Sequence, residues 1–543
     1  MSIGLALGGI MAWFREETRE SSLRTASLKK SPPPERLVLR GRVVTMDGNF
    51  TVIDNCILAI EGKRIVHCAP GDQPLPAPFS QDRPIDLQGT IYPGLFELHN
   101  HPAYNAIPLW QVPAHYTNRQ GWQAAASYRR FVTNPAALLT HDPLSNNARA
   151  VVRFVEGRAL LGGVTTTQGL SLSKMDGNEK AAYAGLVRNV ELPDDSSWPA
   201  AQDKISDFKT YAQAEQAYGP IVGDRTKPFL LHLSEGTDDY SRAFFESLRS
   251  PIGEYLIGAN LIGIHATALN PDQMGRLRQS AGIVWSPLSN FLLYGATTDV
   301  VTAVQSGVPI ALGSDWGPSG TKNLLGELKI AKMFSDNHGN LFPDRELARM
   351  VTSTPATMMG WGDFLGTVQP GKLADLLVLD GTSKDPYKQL VEATERDVMA
   401  VLIDGRPRAG RAILLDPATP GVEMLRVGGQ DMVLDICDRG HPLDGMPLGT
   451  AISTLNHALE HLPDLAEQFL PQHELMSAAS DRYVIHLDMD EDYAMGLMAG
   501  DVKIGRGDVD PMQLDPITEI DDGQFRTRIK NNMNIPAWLR EGL

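Results

Sequence analysis

Along the middle of the chain, apolar residues come in short runs, each closed by a polar turn and often followed by a stretch with helical spacing. The runs at 164–167, 186–190, 229–233, 261–264, 283–285 and 309–312 read as strands, and 271–280 reads as a helix between two of them. Alternation of this kind over 93–365 predicts a parallel (β/α)8 TIM-like barrel. Eight clean strands cannot be counted. Residues 193–227 look largely helical, so the barrel is expected to be distorted, with one strand short or missing.

Shorter runs flank this middle. Leu37-Val38-Leu39, Val43-Val44-Thr45, 57–60 and Ile65-Val66 are β-branched or apolar and are separated by turns such as Glu61-Gly62-Lys63-Arg64. Far downstream, 376–379 ends at Asp380-Gly381 and 398–403 ends at Asp404-Gly405. Two half-sheets on either side of one barrel predict a single small β-sandwich domain, built from 36–92 and 366–416. Residues 1–35 read as an N-terminal arm with a stiff Ser31-Pro32-Pro33-Pro34 linker. Residues 417–543 are a C-terminal extension that the barrel does not need. Leu448, Ile452, Leu455 and Leu459 share one helical face, so part of the extension is expected to fold.

Composition narrows the class. In 543 residues, 42% are hydrophobic and 21% charged, as in an ordinary globular protein. The formal net charge of −16 argues against a general nucleic-acid binder, which needs cations to neutralise phosphates. Cys56, Cys68 and Cys437 are scattered, which predicts a reducing, cytoplasmic setting and no cysteine-based zinc site. The apolar start, Met1 to Phe14, lacks the layout of a signal peptide and falls short of the roughly 20 residues of a membrane span. No membrane partner is expected, and a homo-oligomer is compatible with the sequence.

The candidate chemistry begins at Pro93-Gly94-Leu95-Phe96-Glu97-Leu98-His99-Asn100-His101. On a strand, residues i and i+2 share a face, so His99 and His101 would both face the barrel interior, at the end where barrel active sites lie. Two imidazoles on one face suit zinc or iron. The other strand ends add to this. The run 229–233 carries His232 and is followed by Glu235, 261–264 is followed by His265, and 309–312 is followed by Asp315. One histidine after an apolar run is more often a satisfied core residue. Several ionisable groups converging on one barrel mouth are hard to explain as packing, because unpaired charges there are costly.

This set resembles the amidohydrolase superfamily, and within it the mononuclear branch of guanine deaminase, cytosine deaminase and the triazine hydrolases. Ser286-Pro287-Leu288-Ser289-Asn290, Asn323-Leu324-Leu325-Gly326-Glu327-Leu328 and Gly371-Lys372-Leu373-Ala374-Asp375-Leu376 resemble further segments of that branch, in the same order, over about 36–410. The resemblance implies one divalent ion, zinc or iron, held by His99, His101, His232 and Asp315, which would bring a coordinated water toward a pKa of ~7. It implies that Asp315 accepts the proton of that water, that Glu235 shuttles protons, and that His265 stabilises charge on the reacting centre. The substrate would be a small molecule with a non-peptide carbon–nitrogen bond, in an amide, a cyclic amide or an amino-heterocycle. Binuclear members carry a bridging Lys or Glu. Only Glu191, after 186–190, could serve here, and a two-metal site is not expected.

The loop after the first barrel strand supplies Tyr104, Asn105, Trp110, His115 and Trp122 as candidate substrate contacts, with Asn290 beside them. Three competing readings stand next to this one. Another leaving group, such as halide, could depart on the same machinery. The barrel could serve only as an inactive binding protein, which the intact six-residue set argues against. His457-Ala458-Leu459-Glu460-His461 matches an inverted zinc-peptidase motif, but Pro463 comes directly after it and no third ligand stands out. Asp488-Met489-Asp490-Glu491-Asp492 resembles the start of a calcium loop, yet Tyr493 and Ala499 occupy the places of its Gly and Glu, so it reads as a solvated acidic turn.

Overall fold

The computed structural model describes residues 36–141, 146–174, 180–183, 185–436, 446–469 and 483–543. The N-terminal arm, its proline linker and Cys437 lie outside these residues. In chain order the strands are β1 (Arg36–Val44), β2 (Val52–Glu61), β3 (Arg64–Pro70), β4 (Ile85–Pro93), β5 (Leu95–Phe96), β6 (Val164–Thr167), β7 (Ser171–Lys174), β8 (Lys180–Ala182), β9 (Arg188–Asn189) and β10 (Gln202–Lys204). They continue with β11 (Phe229–Leu233), β12 (Leu261–His265), β13 (Gly282–Trp285), β14 (Ile310–Leu312), β15 (Leu376–Asp380), β16 (Val398–Ile403), β17 (Arg406–Gly410), β18 (Glu423–Val427), β19 (Gln430–Leu434) and β20 (Tyr483–Ile485).

Strands from both flanks meet in one nine-stranded sheet, ordered β18-β19-β17-β16-β15-β4-β1-β2-β3. The join is the antiparallel pair of β4 and β15, with Ile91 opposite Val378. Leu39, Leu58, Ile91, Val378 and Leu402 share one apolar cluster, so the N-terminal and C-terminal strands bury each other. The sheet runs on past residue 416 into β18 and β19. Cys56 and Cys68 are free thiols on neighbouring strands, with sulfurs 3.6 Å apart.

The middle of the chain holds two parallel sheets, β5-β6-β9 and β10-β11-β12-β13-β14. Every residue of β11, β12 and β13 is buried, as expected for parallel strands covered on both faces. Between 193 and 227 the expected helices give way mostly to turns. Asp195 accepts from the backbone N and hydroxyl of Ser197, and only Tyr211–Ala217 forms an α-helix, capped by Thr210. The cause is local chemistry: Pro193-Asp194-Asp195-Ser196-Ser197 favours turns over helix.

The extension wraps around this body. Its helix Leu448–Glu460 packs on helix Asn147–Leu161 and buries Leu448, Leu455 and Leu459. Strand β20 pairs with β7, and Trp538 meets Phe291 edge-on at 5.5 Å. No helix among the described residues is long and apolar enough to cross a membrane.

Candidate active site

The parallel strands end at one place, and backbone bonds lock two of these ends together. Asp315 N donates to His99 O at 3.0 Å, and His101 N donates to Asp315 O at 2.6 Å. Gly313 allows this approach, since a Cβ there would stand 2.5 Å from the His99 Cβ. The buried Glu97, which its local sequence does not mark, adds a polar staple. It accepts from Ser314 N at 2.7 Å and from Asn100 Nδ2 at 2.9 Å. Ser234, His265, Ala266 and Asp315 all have positive φ (50°, 63°, 55° and 67°). Left-handed backbone at non-glycine residues carries strain, and strain of this kind concentrates at functional sites.

His99, His101, His232, Glu235, His265 and Asp315 converge as the strand ends predicted, and all six are buried. The Nε2 atom of His99 lies 3.3 Å from that of His101 and 3.2 Å from that of His232, and the His101–His232 separation is 3.2 Å. Asp315 Oδ1 lies 3.4 Å from His99 Nε2 and 3.6 Å from His101 Nε2. Separations of 3.2–3.6 Å are those of donors set about 2.0–2.2 Å from a shared centre, the usual range for Zn–N and Zn–O bonds. Asp315 Oδ1 has no hydrogen-bond partner, and a bare buried carboxylate oxygen among imidazoles is the donor set of a divalent cation. Burial drives His99 and His232 well below the ordinary imidazole range, and neighbouring imidazoles add to the effect. Both are therefore neutral and able to ligate. Burial pulls His101 the same way, but the carboxylates of Asp488 and Asp315 outweigh it. These residues fit one divalent ion.

The outer nitrogens are mostly held. His99 Nδ1 pairs with Ser286 Oγ at 2.7 Å and His101 Nδ1 with Asp488 Oδ2 at 2.6 Å, while His232 Nδ1 has no partner. His265 Nδ1 faces Asn290 Nδ2 at 3.0 Å, and Thr297 Oγ1 donates to Asn290 Oδ1 at 3.3 Å. With its Oδ1 occupied, Asn290 presents N–H to His265, so His265 carries its proton on Nε2. That nitrogen points at Glu235 Oε2 (3.8 Å) and Asp315 Oδ2 (4.0 Å). Glu235 Oε1 accepts from Tyr294 OH at 2.6 Å, and its Oε2 has no hydrogen-bond partner. Arg119 Nη1 stands 3.6 Å from Oε2. Tyr294 and Arg119 are not legible as site residues in the sequence, since nothing in their local pattern points to Glu235.

The predicted substrate contacts disperse. Trp122 is fully buried and donates to Tyr294 OH at 2.7 Å, and Trp110 is buried near Tyr116 and Tyr128. Tyr104 donates to Asp490 at 2.8 Å, and Asn105 donates to Asn100 at 2.9 Å. His115 is exposed, and Asn290 is occupied with His265. Glu191 accepts from Gly169 N at 3.0 Å and from Gln168 at 3.4 Å. Among the described residues, the groups close enough to share an ion are His99/His232/His265 and His99/His101/Asp315, without Glu191. His457, Glu460 and His461 are exposed on their helix and join no such group. The acidic turn is corrected: Asp488 and Asp490 face inward, because His101, Tyr104 and Tyr128 offer them donors. A separate cavity lined by Glu97, Asn100, Arg158, Gln168 and Tyr183 includes none of the six converging residues.

Residues 90–408 match the model of the amidohydrolase family, more than half of the chain. The chain belongs to this family. This amidohydrolase is 23% identical over 422 residues to a 5-methylthioadenosine/S-adenosylhomocysteine deaminase of Symbiobacterium thermophilum, covering 68% of this chain and 93% of the relative. It shares its fold with a guanine deaminase from Bradyrhizobium japonicum (TM-score 0.52, 17% identity, 69% of this chain and 99% of that one). It also shares it with an atrazine chlorohydrolase from Arthrobacter aurescens TC1 complexed with zinc (TM-score 0.50, 17% identity, 68% and 94%). The amidohydrolase is a metal-dependent hydrolase of carbon–nitrogen bonds other than peptide bonds, and it acts on a small molecule.

Proposed function

We propose that the protein hydrolytically deaminates an amino-heterocycle at an amidine-type ring carbon, with His99, His101, His232 and Asp315 holding one divalent ion. The observation that carries this is the bare Glu235 Oε2, set beside three imidazole nitrogens 3.2–3.3 Å apart, with Asp315 Oδ1 3.4 and 3.6 Å from two of them. The names of the deaminase relatives support the choice of deamination over amide opening. We also infer that β5, β6 and β9–β14 close into a barrel. The Asp315–His99 backbone bonds join its ends, and Ala201 N donating to Val190 O at 2.8 Å bridges the two sheets. Strands from both flanks, β18 and β19 of the extension among them, form the second domain, and the rest of the extension is the third.

The ion, when bound, supplies a nucleophile of hydroxide character at neutral pH. Glu235 Oε2 takes one proton of the attacking water, and Asp315 takes the other from the same oxygen and hands it back to Glu235 once the first has reached the ring nitrogen. Glu235, fixed through Oε1 by Tyr294, uses Oε2 to deliver a proton to the ring nitrogen and then to the departing amine. Of the two water protons, one ends on the ring nitrogen and the other on ammonia, while the oxygen becomes the ring carbonyl. His265 donates through Nε2–H to the oxygen on which negative charge develops. Incubation with a panel of aminated purines, pyrimidines and triazines is expected to release ammonia in step with carbonyl formation. Glu235→Gln should lower kcat by about 10²–10⁴-fold, the range for losing an acid–base group. Turnover without ammonia would point to amide opening, and an unaltered Glu235→Gln rate would overturn the role of Glu235.

A further inference from the structure

The family match ends at residue 408, yet a carboxylate from far beyond it touches one of the four side chains whose donors meet at the site. Asp488 Oδ2 lies 2.6 Å from His101 Nδ1. We propose that the C-terminal extension completes the metal centre, with Asp488 as the positioning residue for His101; this rests on the metal site proposed above. A metal-ligating imidazole needs its second nitrogen held by an acceptor, which fixes the tautomer and ring orientation and makes the ligand more basic. His101 is the only one of the three ligand imidazoles whose outer nitrogen meets a carboxylate among the described residues: His99 meets the Ser286 hydroxyl and His232 meets nothing.

The segment is built to hold that oxygen in place. The second oxygen of Asp488 accepts from Met489 N at 3.0 Å. Two residues on, Asp490 Oδ2 accepts from Tyr104 OH at 2.8 Å and Tyr128 OH at 2.9 Å. Met489 O accepts from Gln123 Nε2 at 3.0 Å, and upstream β20 pairs with β7. Tyr104 lies one turn of chain beyond His101, so the strand end that presents the ligand is also the one that anchors the extension. The segment 483–490 is thus attached on both sides of Asp488, which leaves the carboxylate little freedom to leave His101.

The test is metal affinity, measured on full-length protein by chelator competition with zinc alone. Asp488→Asn keeps the shape and one acceptor oxygen but loses the charge, and Asp488→Ala removes the acceptor. Zinc affinity should fall in the order wild type, Asp488→Asn, Asp488→Ala, with a loss of about 10–100-fold for Asp488→Ala, as for other outer-shell partners of metal-bound histidine. Asp490→Asn, which keeps an acceptor for the two tyrosines, should retain wild-type zinc affinity, and kcat in all variants should scale with bound zinc. Wild-type affinity in Asp488→Ala overturns the inference. Equal loss in Asp490→Asn and Asp488→Asn also overturns it, by showing a strap that acts only through overall packing. A wild type that takes up no divalent ion instead removes the metal site itself, whatever Asp488 does.

Discussion

At the scale of single residues, proton placement decides function. His265 has φ 63° and is buried, and its Nδ1 is met by the Asn290 amide, so its remaining N–H is aimed at Glu235 and Asp315. Asn290→Leu removes the group that selects this tautomer. It should lower kcat by roughly 10–100-fold, the usual cost of losing an orienting partner, while zinc content stays at the wild-type level. Parallel zinc and steady-state measurements check this, and loss of zinc in Asn290→Leu would instead make His265 a ligand. The six converging residues were legible from the chain because each closes an apolar run. Asn290 was legible as a motif but not as a partner of His265, since that contact spans two strand ends.

Elements are held together by charges that burial makes expensive. Arg188, at the start of β9, donates to both oxygens of Asp375 at 2.7 and 2.9 Å, and also pairs with Asp404 and Asp194. Asp375 immediately precedes β15, and Asp404 sits in the turn after β16, so one guanidinium ties the middle of the chain to the nine-stranded sheet. Arg188→Leu removes the guanidinium that Asp375 and Asp404 share, leaving Asp404 with Lys63 at 3.0 Å, and should destabilise the protein by about 3–5 kcal/mol, read from urea unfolding. Glu327, in helix Leu324–Asn337, accepts from Leu288 N at 2.9 Å, and burial raises its pKa from 4.5 to about 8. Between these values the folded protein keeps a proton that the unfolded chain has lost. Its contribution to stability is therefore complete below about pH 4.5 and declines as the pH rises toward 8. Glu327→Gln mimics the protonated form. Its stability relative to wild type should rise steadily from pH 5 to pH 8 in unfolding titrations, and a difference independent of pH would refute this.

Over the whole molecule, the ion and the extension act on the same centre. Four ligands from β11, the end after β5 and the end after β14 come together only in the folded chain, so an ion binds the native state and not the unfolded one. Zinc at 100 times its Kd should add about 2.7 kcal/mol to folding, seen as a rise in Tm over chelator-treated protein. A Tm unchanged by chelator would count against the site. Expectations at this scale were met unevenly. Strands β11, β12, β13 and β14 were readable because buried parallel strands are continuous apolar runs. The stretch 193–227 was misjudged because its proline and Asp/Ser turn residues outweigh the helical pattern downstream of them.

The chain alone determined the reaction class, because strand-end histidines and carboxylates are local events that survive reading one segment at a time. It also marked 417–543 as an addition to the barrel. What Asp488 does was decided by tertiary structure, since an acidic turn is solvated unless something buried offers it donors. His101, Tyr104 and Tyr128 do so from more than 350 positions away. No periodicity or local spacing encodes such a contact; it exists only once the extension has packed across the strand ends.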